Sequence, residues 1–149
     1  MQPRLDFKIT HPVAYRAMLE MENVIKNSTI NKVQLELLKI RASHLNGCAF
    51  CIDMHAKEAL RLGVSEQKIY LLTAWKEAGN IYSEEEQLVL QMTEEITMIH
   101  QKGLSDDVYE KAVASFGEVK TTELMLAIVT INAWNRLMMA THKKTTIAI

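Results

Sequence analysis

The sequence predicts an all-α domain, and three observations support this fold class. The chain has 149 residues but only 5 glycines and 2 prolines, whereas average usage gives roughly 18 for such a length. Both prolines, Pro3 and Pro12, lie near the start, so no later helix has to accommodate a proline ring. No segment shows the strict two-residue alternation of a half-buried strand. We therefore expect a single domain over residues 1–149, built from about seven helices.

The first four predicted helices each end at a polar or glycine-containing turn. Gly47 and Gly63 follow the second and third helices, and glycine readily adopts the left-handed conformation that ends a helix. Ser65 is placed to cap the start of the fourth helix with its side chain. The expected bounds are about His11 to Ile25, Asn31 to Asn46, Cys48 to Leu62 and Glu66 to Glu77.

The last three predicted helices begin at serine or threonine residues. Ser83 and Glu86 have the spacing of a capping box, in which each side chain binds a free backbone amide of the other residue. The expected bounds are Ser83 to about His100, Ser105 to Phe116, and Thr121 or Thr122 to about Thr141. We expect the tail after Lys144 to fray.

Charge and hydropathy exclude two classes of partner. The 17 basic and 18 acidic side chains give a net charge of -1, and no basic cluster with interleaved aromatic residues indicates nucleic-acid binding. The uncharged stretch from Leu124 to Trp134 is about half of the roughly 20 residues needed to span a bilayer. The N-terminal residues lack the apolar segment of a secretory signal. We therefore expect a cytoplasmic protein that binds neither nucleic acid nor membrane.

The two cysteines, Cys48 and Cys51, form a Cys-x-x-Cys pair directly after Gly47. Residues three apart on a helix are neighbours, so the pair has the spacing for a disulfide. The start of a helix also stabilises a thiolate, and this favours Cys48 as the more exposed and reactive thiolate. His55 lies four residues after Cys51 on the same helix face, where an imidazole is placed to transfer protons.

Glu36 is the expected partner of His55. It lies on the preceding helix, which the turn at Gly47 allows to pack antiparallel to the cysteine-bearing helix. At about 1.5 Å of rise per residue, Glu36 lies roughly 15 Å from the turn and His55 about 11 to 12 Å from it. The two side chains are therefore expected to meet, so that Glu36 orients His55 and His55 serves the thiols.

Other interpretations of these residues stay open at the sequence level. Cys48, Cys51 and His55 would give three zinc ligands, with His44 or Asp53 as a fourth. An inert role of the cysteines in the core is a further alternative. Elsewhere, Asn132, Asn135 and Arg136 lie in an otherwise apolar helix and need partners. This predicts structural hydrogen bonds or a subunit contact, with lining of the site as the second alternative.

Glu36 together with Cys48–His55 resembles the Glu, Cys-x-x-Cys-x-x-x-His signature of the alkylhydroperoxidase AhpD core, within the carboxymuconolactone decarboxylase-like superfamily. Three further segments are similar to the short branch of that family, so that the resemblance covers roughly residues 10–140: Arg41–Cys48, Ala74–Trp75 and Ile131–Arg136.

The resemblance implies an all-helical fold that assembles into dimers, trimers or hexamers. It also implies a thiol peroxidase that reduces hydrogen peroxide or organic hydroperoxides without metal or haem. Cys51 would form the sulfenic acid, Cys48 would resolve it as a disulfide, and Glu36 and His55 would relay protons. An external dithiol, thioredoxin-like or of the dihydrolipoamide type, would then reduce the disulfide.

The chain departs from the family at Phe50, where full-length peroxidases can carry a histidine between the cysteines. The decarboxylase branch works without a Cys-x-x-Cys pair, so the cysteines favour peroxidase chemistry. The alternatives are a general dithiol-disulfide oxidoreductase, a cofactor-independent decarboxylase-like lyase, and a redox or metal-binding module without turnover.

Overall fold

All regular secondary structure in the part of the chain that the structure describes is helical. The computed structural model describes residues 2–145, in which seven α-helices and two 3-10 helices occur without any strand. This confirms the predicted all-α class. The predicted frayed tail includes residues 146–149, which lie outside the described residues. The α-helices are α1 (Phe7–Thr10), α2 (Pro12–Lys26), α3 (Lys32–Asn46), α4 (Ala49–Arg61), α5 (Glu66–Tyr70), α6 (Glu84–Thr97) and α7 (Asp106–Ala140). The 3-10 helices cover Leu71–Glu77 and Gly79–Ile81.

Several helix ends lie where the local sequence signals predict them. The Asn31 side chain accepts hydrogen bonds from the first backbone amides of α3, as expected of an N-cap asparagine. Gly47 ends α3 in the left-handed conformation, with φ at 74°. Ser83 and Glu86 form the predicted capping box at the start of α6. These ends are determined by residues close in sequence, which explains why periodicity and capping residues predict them.

The predicted fourth helix, Glu66–Glu77, changes its type midway. Its first five residues form α5, and the chain continues as the 3-10 helix Leu71–Glu77, in which Ala74 leaves helical geometry with φ at -119° and ψ at 31°. The indole of Trp75 is held there by a hydrogen bond to Glu94 on α6. This contact between distant parts of the chain outweighs the local preference for a continuous α-helix.

The predicted sixth and seventh helices correspond to the two parts of α7, which is kinked at Gly117. Gly117 interrupts this helix with φ at 76° and ψ at 166°, a conformation that glycine adopts without a steric penalty. The predicted start at Thr121 or Thr122 is wrong, because helical residues resume directly after the glycine and Thr121 is buried within the helix. Although α7 spans 35 residues, no helix within residues 2–145 is both long and apolar enough to cross a bilayer.

Two further differences lie at helix ends. The sequence predicts no helix before His11, because the four-residue helix α1 is too short to give a periodic pattern. The first long helix, α2, starts at Pro12 and has His11 as its N-cap. At the other end of the fold, α6 stops at Thr97, three residues before the predicted end at His100. Met98 has φ at -99° and ψ at 39°, which is outside the helical range.

Helix α3 occupies the centre of the fold. Its residues Leu35, Leu38 and Ala42 belong to a hydrophobic cluster shared with α6 and α7. On its other side, Leu37 and Ile40 belong to a second cluster shared with α4 and the first 3-10 helix. Burying one such leucine or isoleucine side chain contributes roughly 1.5 to 3 kcal/mol. Because both sides are covered, α3 holds α4, α6 and α7 in fixed positions.

Glu94 on α6 connects three elements through its carboxylate. Arg41 on α3 approaches Oε1 to 2.7 Å, the Trp75 indole donates to Oε1 at 2.7 Å, and Lys76 donates to Oε2 at 2.7 Å. Burial acts to raise the pKa of Glu94, but the hydrogen bonds of Lys76, Trp75 and Arg41 outweigh it, and the pKa lies below its ordinary value of 4.5. The ionised carboxylate therefore stabilises the packing of α3 and the 3-10 helix on α6.

We expect Glu94→Gln to lower the free energy of unfolding by about 2 to 3 kcal/mol near neutral pH, because Arg41 and Lys76 lose an ionised partner. Since the pKa of Glu94 is lowered in the folded state, the carboxylate contributes fully to the free energy of unfolding above the unfolded-state pKa. This contribution is lost as the pH falls through the folded-state pKa. The difference between wild type and variant should therefore shrink below about pH 4.5.

Urea unfolding at neutral pH and at about pH 3.5 measures both effects. Glu77→Gln is a matched control, because Glu77 is exposed and its loss should change stability by less than about 0.5 kcal/mol. An equal difference between wild type and Glu94→Gln at the two pH values would contradict the prediction.

Candidate active site

The two cysteines lie at the start of α4, directly after the turn at Gly47. Cys48 is the N-cap residue of α4, Cys51 lies in its first turn, and a disulfide joins them with their Cα atoms 5.4 Å apart. The backbone amide of Cys48 donates to the carbonyl of Ser43 at 3.0 Å. The left-handed Gly47 thus reverses the chain and brings the cysteine pair back against the end of α3.

Burial does not separate the two cysteines, so the expectation that Cys48 is the more exposed one stays a prediction. Both residues are almost fully buried, with exposed fractions of 2% for Cys48 and 1% for Cys51. Cys51 lines the cavity described below, whereas Cys48 does not. The hydrogen bond from Cys48 to Ser43 holds Cys48 against the end of α3. This explains why Cys51, and not Cys48, lines the cavity.

Glu36 and His55 meet as the antiparallel packing of α3 and α4 predicts. His55 Nδ1 lies 2.7 Å from Glu36 Oε2, and both residues are buried, with exposed fractions of 8% and 7%. An ionised Glu36 accepts the Nδ1 hydrogen, which leaves Nε2 of the imidazole to exchange protons with a substrate or a thiol. His55 also lines the cavity, so the pair connects the interior of the fold with this space.

A cavity of about 580 Å³ lies over Cys51 and His55. Its walls are mainly apolar and come from three helices, namely Tyr15 and Leu19 of α2, Phe50 and Met54 of α4, and Ile131, Trp134 and Met138 of α7. The remaining wall consists of residues 3–8 and 141–144, close to the two ends of the described chain. A volume within roughly 300 to 1,000 Å³ is typical of pockets for small organic ligands.

The segment before α2 is held over the cavity by contacts with α7. The amide of Arg4 donates to the carbonyl of Thr141 at 3.0 Å, and its guanidinium donates to the carbonyl of Ala140 at 3.0 Å. The ring of Tyr15 packs edge-on against Phe7 at 6.0 Å and against Trp134 at 5.7 Å. These contacts close one side of the cavity with the N-terminal segment.

A buried network of amide side chains fixes the residue before Gly47. Asn46 Nδ2 donates at 2.9 Å to the side-chain oxygens of both Asn132 and Asn135 on α7. Asn135 in turn donates to Ser43 Oγ at 3.0 Å, and Arg136 donates to the Asn132 side chain at 2.9 Å. The predicted structural hydrogen bonds of Asn132, Asn135 and Arg136 are therefore present, and they tie the cysteine-bearing turn to α7.

The residues considered as additional metal ligands do not join the site. His44 does not line the cavity, and burial, followed by the nearby Arg41 charge, lowers its pKa. Asp53 pairs with Lys57 at 2.8 Å on the outer side of α4. Within residues 2–145, no three His, Cys, Asp or Glu side chains are arranged to hold a metal ion.

Sequence reasoning missed the walls of the cavity. It predicted no cavity, whereas Tyr15, Leu19, Glu22, Phe50 and Trp134 all line the space over Cys51. For the α4 wall, the proximity of Phe50 to Cys51 in sequence is a usable signal. For α2 and α7 no local pattern distinguishes these residues from ordinary core positions.

The comparisons with known proteins agree with this geometry. The model of the carboxymuconolactone decarboxylase family matches residues 12–95, a range that contains Glu36 and the Cys-x-x-Cys segment. The uncharacterized protein YdfG of Bacillus subtilis is 41% identical over 140 residues, covering 94% of this chain and 95% of that protein. The alkyl hydroperoxide reductase AhpD of Rhodospirillum centenum is 43% identical over 47 residues, which is 32% of this chain and 25% of that protein.

Two solved structures resemble the fold. ATU0492 of Agrobacterium tumefaciens, described as a protein of unknown function and a candidate antioxidant defence protein AhpD, superimposes with a TM-score of 0.95 and 34% identity. The match covers 99% of this chain and 100% of that one. An uncharacterized peroxidase-related protein of Silicibacter sp. TM1040 gives a TM-score of 0.78 at 18% identity, over 88% and 69% of the two chains. The second likeness concerns the fold alone.

Asn46→Ala is expected to lower the free energy of unfolding by about 1 to 2 kcal/mol, because the buried Asn135 Oδ1 loses its donor while Asn132 Oδ1 keeps that of Arg136. Urea unfolding measures this loss. Asn80→Ala is the matched control, because Asn80 is exposed and its substitution should change stability by less than about 0.5 kcal/mol. Equal effects of the two substitutions would show that the network does not stabilise the turn.

Proposed function

The chain belongs to the carboxymuconolactone decarboxylase family, and on that premise we propose that it acts as a thiol-dependent peroxidase. The observation that carries this proposal is the position of Cys51 and His55 on the wall of one cavity, with Cys48 joined to Cys51 and outside the cavity. The likeness to proteins named alkyl hydroperoxide reductase AhpD supports the same reaction class.

The first step reduces the hydroperoxide. In the reduced protein, His55 takes the proton of the Cys51 thiol, and the thiolate attacks the terminal oxygen of the hydroperoxide. The O–O bond breaks, Cys51 becomes a sulfenic acid, and the alkoxide takes the proton from His55 and leaves as an alcohol. Glu36 keeps the imidazole oriented and stabilises its protonated form through the 2.7 Å contact with Nδ1.

The second step closes the disulfide. The Cys48 thiol gives its proton to His55 and attacks the sulfur of the Cys51 sulfenic acid, which releases hydroxide that becomes water by taking that proton. Two electrons from the two thiols thus reduce the O–O bond, and the products are one alcohol, one water and the disulfide. An external dithiol, thioredoxin-like or of the dihydrolipoamide type, then returns the pair to the reduced state by thiol-disulfide exchange.

The roles of the two cysteines are tested by trapping the sulfenic acid with dimedone and measuring protein mass. In Cys48→Ser the sulfenic acid of Cys51 has no resolving thiol, so the dimedone adduct should accumulate after one equivalent of hydroperoxide. In Cys51→Ser no adduct should form. Adduct formation in Cys51→Ser and its absence in Cys48→Ser would reverse the assignment.

The proton relay is tested by the rate at which cumene hydroperoxide oxidises the reduced thiols. We expect His55→Ala to lower this rate about 100-fold, since general acid-base catalysis accelerates a reaction by a factor of roughly 10² to 10⁴. Glu36→Gln keeps a hydrogen-bonding side chain but loses the charge, so its effect should be smaller. The control is His100→Ala, because His100 is exposed and lies outside the cavity lining.

Two outcomes of this measurement would contradict the proposal. Equal rates in wild type and His55→Ala would remove His55 from the reaction. Wild-type thiols that persist in excess hydroperoxide would exclude peroxidase activity altogether, and the decarboxylase-like lyase would then become the leading function.

A further inference from the structure

The mouth of the cavity carries more basic than acidic side chains. Four basic residues from the two ends of the described chain line it: Arg4, Lys8, Lys143 and Lys144. All four are exposed. Within residues 2–145, the ammonium groups of Lys8, Lys143 and Lys144 form no ion pair with a carboxylate. Within the described residues, these three charges are therefore not balanced by a paired carboxylate.

The acidic residues of the cavity wall are already engaged. Asp6 Oδ1 accepts the backbone amide of Lys8 at 2.9 Å as the cap of α1. Glu22 Oε2 pairs at 3.0 Å with Lys39, whose side chain is largely buried on α3. Asp6 keeps its negative charge, but the four basic side chains of the lining outnumber it. The potential at the entrance therefore favours a negatively charged ligand group.

The rest of the cavity lining is mainly apolar. The rings of Tyr15, Phe50 and Trp134 and the methionines Met54 and Met138 line the same cavity as Cys51 and His55. Aromatic and methionine side chains accommodate flexible apolar chains well, because they offer large and adaptable contact areas. A charged entrance above such walls fits a molecule with an anionic end and an apolar body.

We propose that the cavity binds a carboxylic acid with a long apolar chain, with its carboxylate at Lys143 and Lys144 and its chain along the aromatic walls. The substrate class is then a hydroperoxide of such an acid, and this statement about the substrate rests on the proposed peroxidase function. The carboxylate stays at the mouth, and the hydroperoxide group on the chain reaches Cys51. Binding of the acid itself requires no peroxidase chemistry.

The binding test compares sodium decanoate with 1-decanol by titration calorimetry on the disulfide form of the full chain. The carboxylate should bind about fivefold more tightly at low salt, since exposed ion pairs contribute up to about 1 kcal/mol. The advantage should shrink in about 0.5 M salt, where exposed charges are screened. Equal affinity for the acid and the alcohol at low salt would overturn the proposal.

A pair of charge-reversal variants locates the carboxylate. Lys143→Glu/Lys144→Glu should bind decanoate at least fivefold more weakly than the wild type, while its affinity for 1-decanol stays within about twofold of the wild-type value. Lys102→Glu/Lys111→Glu changes the net charge equally at exposed lysines outside the cavity, and it should bind decanoate as the wild type does. An equal loss in both double variants would overturn the assigned position.

A second measurement separates this inference from the proposed function. Linoleic acid hydroperoxide and its methyl ester are compared as oxidants of the reduced thiols, and the acid should react about fivefold faster at low salt. If both react at the same rate through Cys51, the peroxidase proposal stands and the preference for a carboxylate is overturned. If decanoate binds as expected but neither hydroperoxide oxidises the thiols, the binding site stands and the peroxidase proposal fails.

Discussion

Helix α3 lies between two hydrophobic clusters, so its polar side chains have to find partners on neighbouring helices instead of in water. Lys39 pairs with Glu22 on α2, and Arg41 pairs with Glu94 on α6. Glu36 follows the same rule with His55 on α4. Each pair fixes the rotation and the axial position of one neighbouring helix relative to α3. The Glu36–His55 contact is therefore one of several buried polar contacts through which a central helix positions the helices around it.

This arrangement has consequences for the chemistry of the cysteines. His55 is held by a helix that cannot rotate without breaking buried contacts, and the proton transfer proposed for this residue requires such a rigid support. The cysteine pair is held in a similar way, because Asn46 is bonded to α7 and Cys48 to the end of α3. The two cysteines are separated by only three positions in sequence. The proposed cycle between dithiol and disulfide therefore involves residues within one turn of α4.

The sequence predicts the site better than it predicts the cavity. Gly47, the capping box of Ser83 and the Glu36–His55 contact depend on neighbours in sequence or on the regular rise of two adjacent helices, so spacing is sufficient to derive them. The 3-10 helix Leu71–Glu77 depends on the contact between Trp75 and α6, which no local pattern reveals. The cavity likewise combines parts that are more than 100 residues apart in sequence, as the contact between Tyr15 and Trp134 shows. Such contacts arise from the complete packing, and periodicity carries no information about them.

The N-terminal segment and the residues after α7 meet at the same entrance, where Arg4 is bonded to Thr141. Pro3 and Lys144, close to the two ends of the described chain, both line the cavity over Cys51. An affinity tag or a fusion partner at these positions adds charge and bulk where ligands enter. The turn at Gly103 is outside the cavity lining, which makes it the better point for a label. Recombinant forms that differ only in their tags therefore differ in charge and bulk beside this cavity.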